Sequence, residues 1–163
     1  MPMSSSDPPL AIRLAADHGE IDALFQEAQV ALEREARAGA HRAIDRIWMR
    51  LAVHIRAEHK VLFPVLVDAW PELAASLRRL REDHDFFMAT LAAAVSALKG
   101  PDVDWASVKT SVEAVRKRLA PHNALEEERI YPLAGRLEDG PLRRLAGDVA
   151  RELAALPTRY EAR

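Results

Sequence analysis

The sequence contains no cysteine. Disulfides, thiolate nucleophiles, zinc fingers and cysteine-ligated iron–sulfur clusters are therefore excluded, and a reducing compartment, the cytoplasm, is the expected location. Charge of one sign is missing too. The 25 acidic and 23 basic side chains leave a formal net charge of -2, with no basic block to meet a phosphate backbone or an anionic membrane surface. Neither nucleic acid nor a membrane is an expected partner. No stretch approaches the roughly 20 uninterrupted apolar residues of a membrane span, and MPMSSSDPP has no apolar core of signal-peptide length, so residues 1–7 read as a disordered tail. A glycine-rich phosphate loop, a GxSxG and an HExxH are all absent.

Alternation of period two is missing as well, which leaves strands no foothold. What is present is helical periodicity. Leu14, Ile21, Phe25, Ala28 and Leu32 recur at three- and four-residue steps within a first helix over 10–38, with Asp7 available as a cap, Pro8 suited to the first turn and Gly39 as the stop. A second helix runs from about His41 to Asp68, carrying Ile47, Leu51, Val61, Leu62 and Val65, and stops near Trp70 and Pro71. A third continues through Leu77, Leu80, Leu91, Val95 and Leu98 to the breaker KGPDVD. A fourth follows Asp104 with Val108, Val112, Val115, Leu119, Ile130, Leu133 and Leu137. Long helices and short loops point to an all-α, up-down-up-down four-helix bundle over residues 8–138. A short fifth helix follows Gly140 and Pro141 to about Leu156, within a C-terminal helix and tail over 139–163.

The bundle reads as a duplicated helical hairpin. Setting LAVHIRAEHKVLFPVL (51–66) over LAPHNALEEERIYPLA (119–134) aligns His54, Glu58 and Pro64 with His122, Glu126 and Pro132 at an offset of 68, and Phe63 with Tyr131. A weaker echo pairs Asp17 and His18 with Asp83 and His84 at an offset of 66. Each half thus supplies a DH on its first helix and an HxxxE on its second. Residues four apart share a helix face, about 6 Å along the axis, so His18, His54, Glu58, His84, His122 and Glu126 all fall on the apolar stripes. Ligands at one level on antiparallel helices require a loop midway between them in sequence. The midpoints fall at 36 and 38, 69 and 71, and 103 and 105, within about a helical turn of the three expected loops.

Six polar groups from four helices therefore converge on one interior layer. Burying an ionised carboxylate without a partner costs several kcal/mol or forces protonation, and no lysine or arginine is expected to share these stripes. A metal supplies the missing positive charge. Imidazole and carboxylate donors without sulfur suit first-row ions, and two carboxylates able to bridge favour two metals over one. Iron is the favoured identity, with zinc and manganese compatible with the same donors. The competing view is a metal-free polar layer. A ferritin-like site would need ExxH motifs and more glutamates.

The order DH (His18), HxxxE (His54, Glu58), DH (His84), HxxxE (His122, Glu126), with LFP and IYP after the two HxxxE motifs, resembles the hemerythrin-like HHE cation-binding domain over residues 8–138. The resemblance implies a non-heme centre of two iron ions, bridged by carboxylate or oxo groups, with a coordination position open to dioxygen, peroxide or nitric oxide. It implies no single activity. The chain departs from the oxygen carriers in having Met88 where they place a further histidine, and HxxxE where their fourth helix uses a longer spacing to an aspartate. Its four-His, two-Glu set is similar to that of the iron–sulfur-cluster repair di-iron proteins, although the cysteine-bearing domain of those proteins is not expected in a sequence without cysteine. Both metals would then be about equally open. Redox detoxification or sensing of a small oxidant ranks ahead of reversible oxygen storage, with an iron- or oxygen-sensing or storage module without turnover as the alternative.

Other polar residues carry weaker expectations. His59 lies about 100° around the helix from Glu58 and is replaced by Glu127 in the repeat, so surface exposure or contact with a ligand suits it better than ligation. Tyr131 could donate a hydrogen bond to the layer, although packing suffices to explain it. His41 falls outside the layer. Asp17, Asp22 and Asp83 are expected at the surface or against the ligands, and Pro64 and Pro132 as kinks or helix ends.

Overall fold

The computed structural model describes residues 9–155, so Asp7, Pro8, the expected tail over 1–7 and the segment from 156 onward lie outside the described residues. The helices are α1 (Leu10–Glu33), α2 (Arg37–Ala57), α3 (Phe63–Ala69), α4 (Ala74–Lys99), α5 (Trp105–Leu125), α6 (Tyr131–Ala134) and α7 (Asp139–Ala154), and no strand occurs among the described residues. α1 packs on α2, α2 on α4, α4 on α5, and α5 returns to α1, closing a helical bundle. Among the described residues no helix is long and apolar enough to cross a membrane.

Two of the three loops fall where breakers stand. α4 ends before Gly100, and Asp104 caps α5 by accepting from the Ser107 backbone N–H at 3.0 Å. The first loop is different. α1 stops at Glu33 rather than near Ala38, and Gly39 lies inside the first turn of α2. The stop is made by Glu35, whose φ of 51° is left-handed, with Ala36 N–H donating to Ala31 at 2.9 Å and Glu35 N–H to Leu32 at 3.1 Å. That is a Schellman closure, which satisfies the last carbonyls of α1 and outweighs the roughly 1–2 kcal/mol that a non-glycine residue pays in this conformation.

Both helices that carry an HxxxE motif widen at the same place. Glu58–Leu62 and Glu126–Ile130 are π turns, each closed by a bond spanning five residues, from Phe63 N–H to the Glu58 carbonyl and from Tyr131 N–H to the Glu126 carbonyl. Pro64 and Pro132 follow directly, in the first turns of α3 and α6. A proline cannot donate to the carbonyl four residues back and its ring crowds that group, and a wider turn upstream relieves the conflict. Pro64 does not end its helix, which continues to Ala69, whereas the helix of Pro132 stops two residues on, at Ala134.

The apolar interior is divided in two. One cluster, around Ile21, Phe25, Ile44, Ile47, Phe87, Leu91 and Val115, fills the end bearing the first and third loops. The other, around Leu14, Leu62, Phe63, Leu66, Leu80, Ile130 and Tyr131, takes in Leu145 and Val149 of α7. α7 begins at Asp139, just before Gly140 and Pro141, and packs across α2 and the turn that carries Glu58. It is fastened there by Glu152, 2.8 Å from both Arg56 and Lys60. The polar layer lies between the clusters.

Candidate metal centre

α1 contributes His18, α2 His54, α4 His84 and α5 His122, while Glu58 and Glu126 open the two π turns. All six sequence-derived residues are brought together, none more than 6% exposed and both glutamates at 0%. The imidazoles meet in two pairs, with Nε2 of His18 3.2 Å from Nε2 of His54, and Nε2 of His84 3.0 Å from Nε2 of His122.

The outer nitrogens explain why Nε2 points inward. With its proton on Nδ1, each ring donates away from the layer: His54 to Asp17 at 2.7 Å, His122 to Asp83 at 3.0 Å, His18 to Glu127 at 2.8 Å and His84 to His59 at 2.7 Å. Such bonds fix ring orientation and leave the Nε2 lone pair available. The hairpins exchange partners here, since Glu127 of the second half serves His18 of the first and His59 serves His84 in return. His59 and Glu127 thus touch candidate ligands, and so does Tyr131. Asp17 and Asp83 are buried against the histidines, whereas Asp22 is exposed and bonds Gln26 and Arg116. His41 is half-buried in the first turns of α2, away from the layer.

Arg50 and Arg118 were not anticipated. Arg50 donates to Asp17, and Arg118 Nε donates to Asp83 at 2.7 Å, so each aspartate is gripped by a cation one helical turn before the histidine it orients. Basic side chains therefore do reach the layer, at one remove. The signal lay one residue outside the aligned segments, where RLAVH and RLAPH repeat at the same offset of 68.

The glutamates span both imidazole pairs. Glu58 Oε1 stands 3.1 Å from His54 Nε2 and Oε2 3.3 Å from His84 Nε2. Glu126 Oε2 is 3.7 Å from His18 Nε2, while Oε1 abuts His122. Tyr131, 1% exposed, donates from its hydroxyl to Glu58 Oε1 at 2.6 Å and touches Glu126 Oε2. Glu58 Oε2 and Glu126 Oε1, on the His84–His122 side, are sealed from solvent and accept no hydrogen bond. Buried acceptors without partners are rare and each costs on the order of 1–3 kcal/mol.

In the metal-free chain protons take up part of this imbalance. Burial, then the neighbouring Glu126, raises Glu58 to about 8. Burial opposes charge on Glu126 too, but the neighbouring Glu58 carboxyl and the facing His122 and His84 imidazoles outweigh it and hold that carboxyl well below its ordinary range. Burial likewise lowers His54 and His122, yet their carboxylate neighbours prevail and both are raised. For His18 and His84 burial wins and both are lowered, and His59 falls to about 4 through burial and the adjacent His84, which keeps it a neutral acceptor. Burial, then Glu58 and Glu126, keeps the Tyr131 phenol protonated.

Among the described residues, two groups of side chains could hold a metal ion: His18, His54, Glu58 and Glu126, and His84, His122 and Glu126. The unpartnered Glu58 and Glu126 oxygens, facing the inward Nε2 atoms of His84 and His122, fit a cation at that position. Beside the four histidines, against Ile21, Leu51, Phe87 and Leu119, lies a cavity of about 10 Å³, on the order of one water molecule.

What the fold and this donor set define is a helical bundle with an internal cation site. The profile of the hemerythrin HHE cation binding domain matches residues 12–134, and the chain belongs to that family. No curated protein and no solved structure gives a significant match.

Proposed function

We propose that the chain is a hemerythrin-like di-iron protein that binds a small oxidant, dioxygen, peroxide or nitric oxide, within its bundle, for redox detoxification or sensing. The observation that carries this reading is the pair of buried glutamates, each directing one oxygen at each histidine pair while two of the four oxygens accept no hydrogen bond. Two cations, with a carboxylate oxygen of each glutamate on each, would use every one of these acceptors. His18 and His54 would hold one ion and His84 and His122 the other. Iron suits imidazole and carboxylate donors without thiolate and would supply electron exchange with the bound molecule. The remaining residues orient and exclude: Asp17, Asp83, Glu127 and His59 fix the rings, and the two apolar clusters keep bulk water out. The cavity of about 10 Å³ supports a ligand of two or three atoms rather than an organic substrate. We read the bundle as a single up-down-up-down unit over 8–138, with α7 bracing the Glu58 turn.

The test is reconstitution with ferrous iron under anaerobic conditions, followed by metal analysis and absorption spectroscopy. About two irons per chain, with an optical spectrum that responds to azide or peroxide, is the expected result. Failure to retain iron overturns the reading. Peroxide turnover abolished by His54→Ala would favour detoxification over sensing.

A further inference from the structure

The two halves of the centre are not equivalent, and the difference is concentrated at one position of the repeat. Tyr131 stands where the first half has Phe63. The Tyr131 hydroxyl lies 3.1 Å from His18 Nε2, 3.2 Å from His54 Nε2 and 2.6 Å from Glu58 Oε1, while His18 and His54 are themselves 3.2 Å apart and His54 and Glu58 3.1 Å. Donors at right angles on one ion, with bonds of about 2.1 Å, stand about 3 Å from each other. The phenol oxygen is therefore spaced from the donors as they are from one another, which is the position of a ligand and not that of the ion. Phe63, fully buried, lays its ring parallel to His84 at 6.2 Å and offers no donor. Met88, one turn beyond His84, packs with the apolar cluster. Both unpartnered carboxylate oxygens face this second pair of histidines.

Building on the di-iron reading, we propose that the Tyr131 oxygen is a direct donor to the ion at the His18–His54 position, and that the His84–His122 position is the one left open to a small ligand. The expectation of two equally open metals gives way to a divided centre, one ion enclosed by protein and one available. The surroundings favour the same division. Both rings of the enclosed pair donate to carboxylates, Asp17 and Glu127, whereas the open pair has one carboxylate, Asp83, and one imidazole, His59. Carboxylate partners make an imidazole a stronger donor, and with a phenolate they suit the harder, ferric state.

The experiment is absorption and resonance Raman spectroscopy of the full chain, loaded anaerobically with ferrous iron and oxidised with ferricyanide, with iron counted in the same samples. A ferric phenolate gives an intense visible charge-transfer band and phenolate ring modes. Both are expected in the wild type and in Tyr160→Phe, the other of the two tyrosines, and both are lost in Tyr131→Phe with two irons retained. Phe63→Tyr is expected to add a second phenolate and to weaken azide binding at least 10-fold, while azide on the wild type perturbs the spectrum and leaves the phenolate modes in place. Two irons without phenolate modes overturn the inference and leave the di-iron reading standing. Displacement of the phenolate by azide, or unchanged azide affinity in Phe63→Tyr, overturns the assignment of the open position. A wild type that retains no iron overturns both. Should Tyr131→Phe fail to fold, the wild-type Raman spectrum decides alone.

Discussion

His59 Nε2 lies 2.7 Å from Nδ1 of His84, a residue of the opposite hairpin. The contact mirrors Glu127 on His18 and makes each half of the bundle orient a histidine of the other. Removing such a partner typically costs 10–100-fold in metal affinity without deleting a ligand. His59→Ala is therefore expected to weaken iron binding by about that factor while two irons per chain are still reached at saturation. Competition with a chelator measures it, and an unchanged affinity would show that His59 merely packs.

Asp17 and Asp83 hold His54 and His122, and Arg50 and Arg118 hold the aspartates. Asp17→Asn keeps the shape but offers an amide where a carboxylate accepted from both His54 and Arg50. Iron affinity is expected to fall about 10–100-fold, and Asp83→Asn should do the same at the other pair. Equal affinities in wild type and both variants would remove the arginine–aspartate–histidine relays from the account.

The layer was legible because its chemistry repeats: DH and HxxxE recur at offsets of 66 and 68, and helix geometry carries all six side chains to one level. The outer contacts were only half legible. Spacing puts His59 and Glu127 beside the stripe but does not say that each leans across to the other hairpin, and Tyr131 could have packed either way. The π turns depend on a hydrogen-bond register that no single residue announces. Gly39 misled because glycine usually marks a helix stop, while the left-handed position went to Glu35, held by the Schellman bonds to Ala31 and Leu32.

The glycines test that correction. Gly39 sits in the first turn of α2 with its nearest neighbour 3.6 Å from an added methyl, and Gly19 lies within α1 facing open space. Glycine to alanine inside a helix gains up to about 1 kcal/mol. Gly19→Ala and Gly39→Ala should each raise the melting temperature by about 2–4 °C. A drop for Gly39→Ala would restore that residue as a required loop glycine.

Acid should loosen α7. Hydrogen bonding from Lys60 leads the effects on Glu152 and, with the charges of Lys60 and Arg56, outweighs burial and holds the carboxyl below its ordinary value of 4.5. A carboxylate with a lowered folded pKa stabilises fully above its unfolded value and loses that contribution as pH falls through the folded one. Glu152→Gln should accordingly cost up to about 1 kcal/mol at pH 7, and the gap from wild type should close as pH falls through the lowered folded value of Glu152. Parallel thermal melts across that range read it, and a gap independent of pH would contradict it.

Glu58→Leu separates a working centre from an idle one. Removing a buried carboxyl relieves the metal-free chain, so the variant should match or exceed the apo wild type in melting temperature. Iron at 1,000 times its dissociation constant adds about 4 kcal/mol to the wild type, or about 10 °C, and should add far less to the variant. An equal rise in both would show that iron binds elsewhere.

The most direct measurement is a crystal structure of the iron-loaded chain with an anomalous difference map at the iron edge. Two peaks are expected between the two apolar clusters, one against His18, His54 and Tyr131 and one against His84 and His122, with Glu58 and Glu126 reaching both. A single peak, or iron bound outside the layer, would contradict the account.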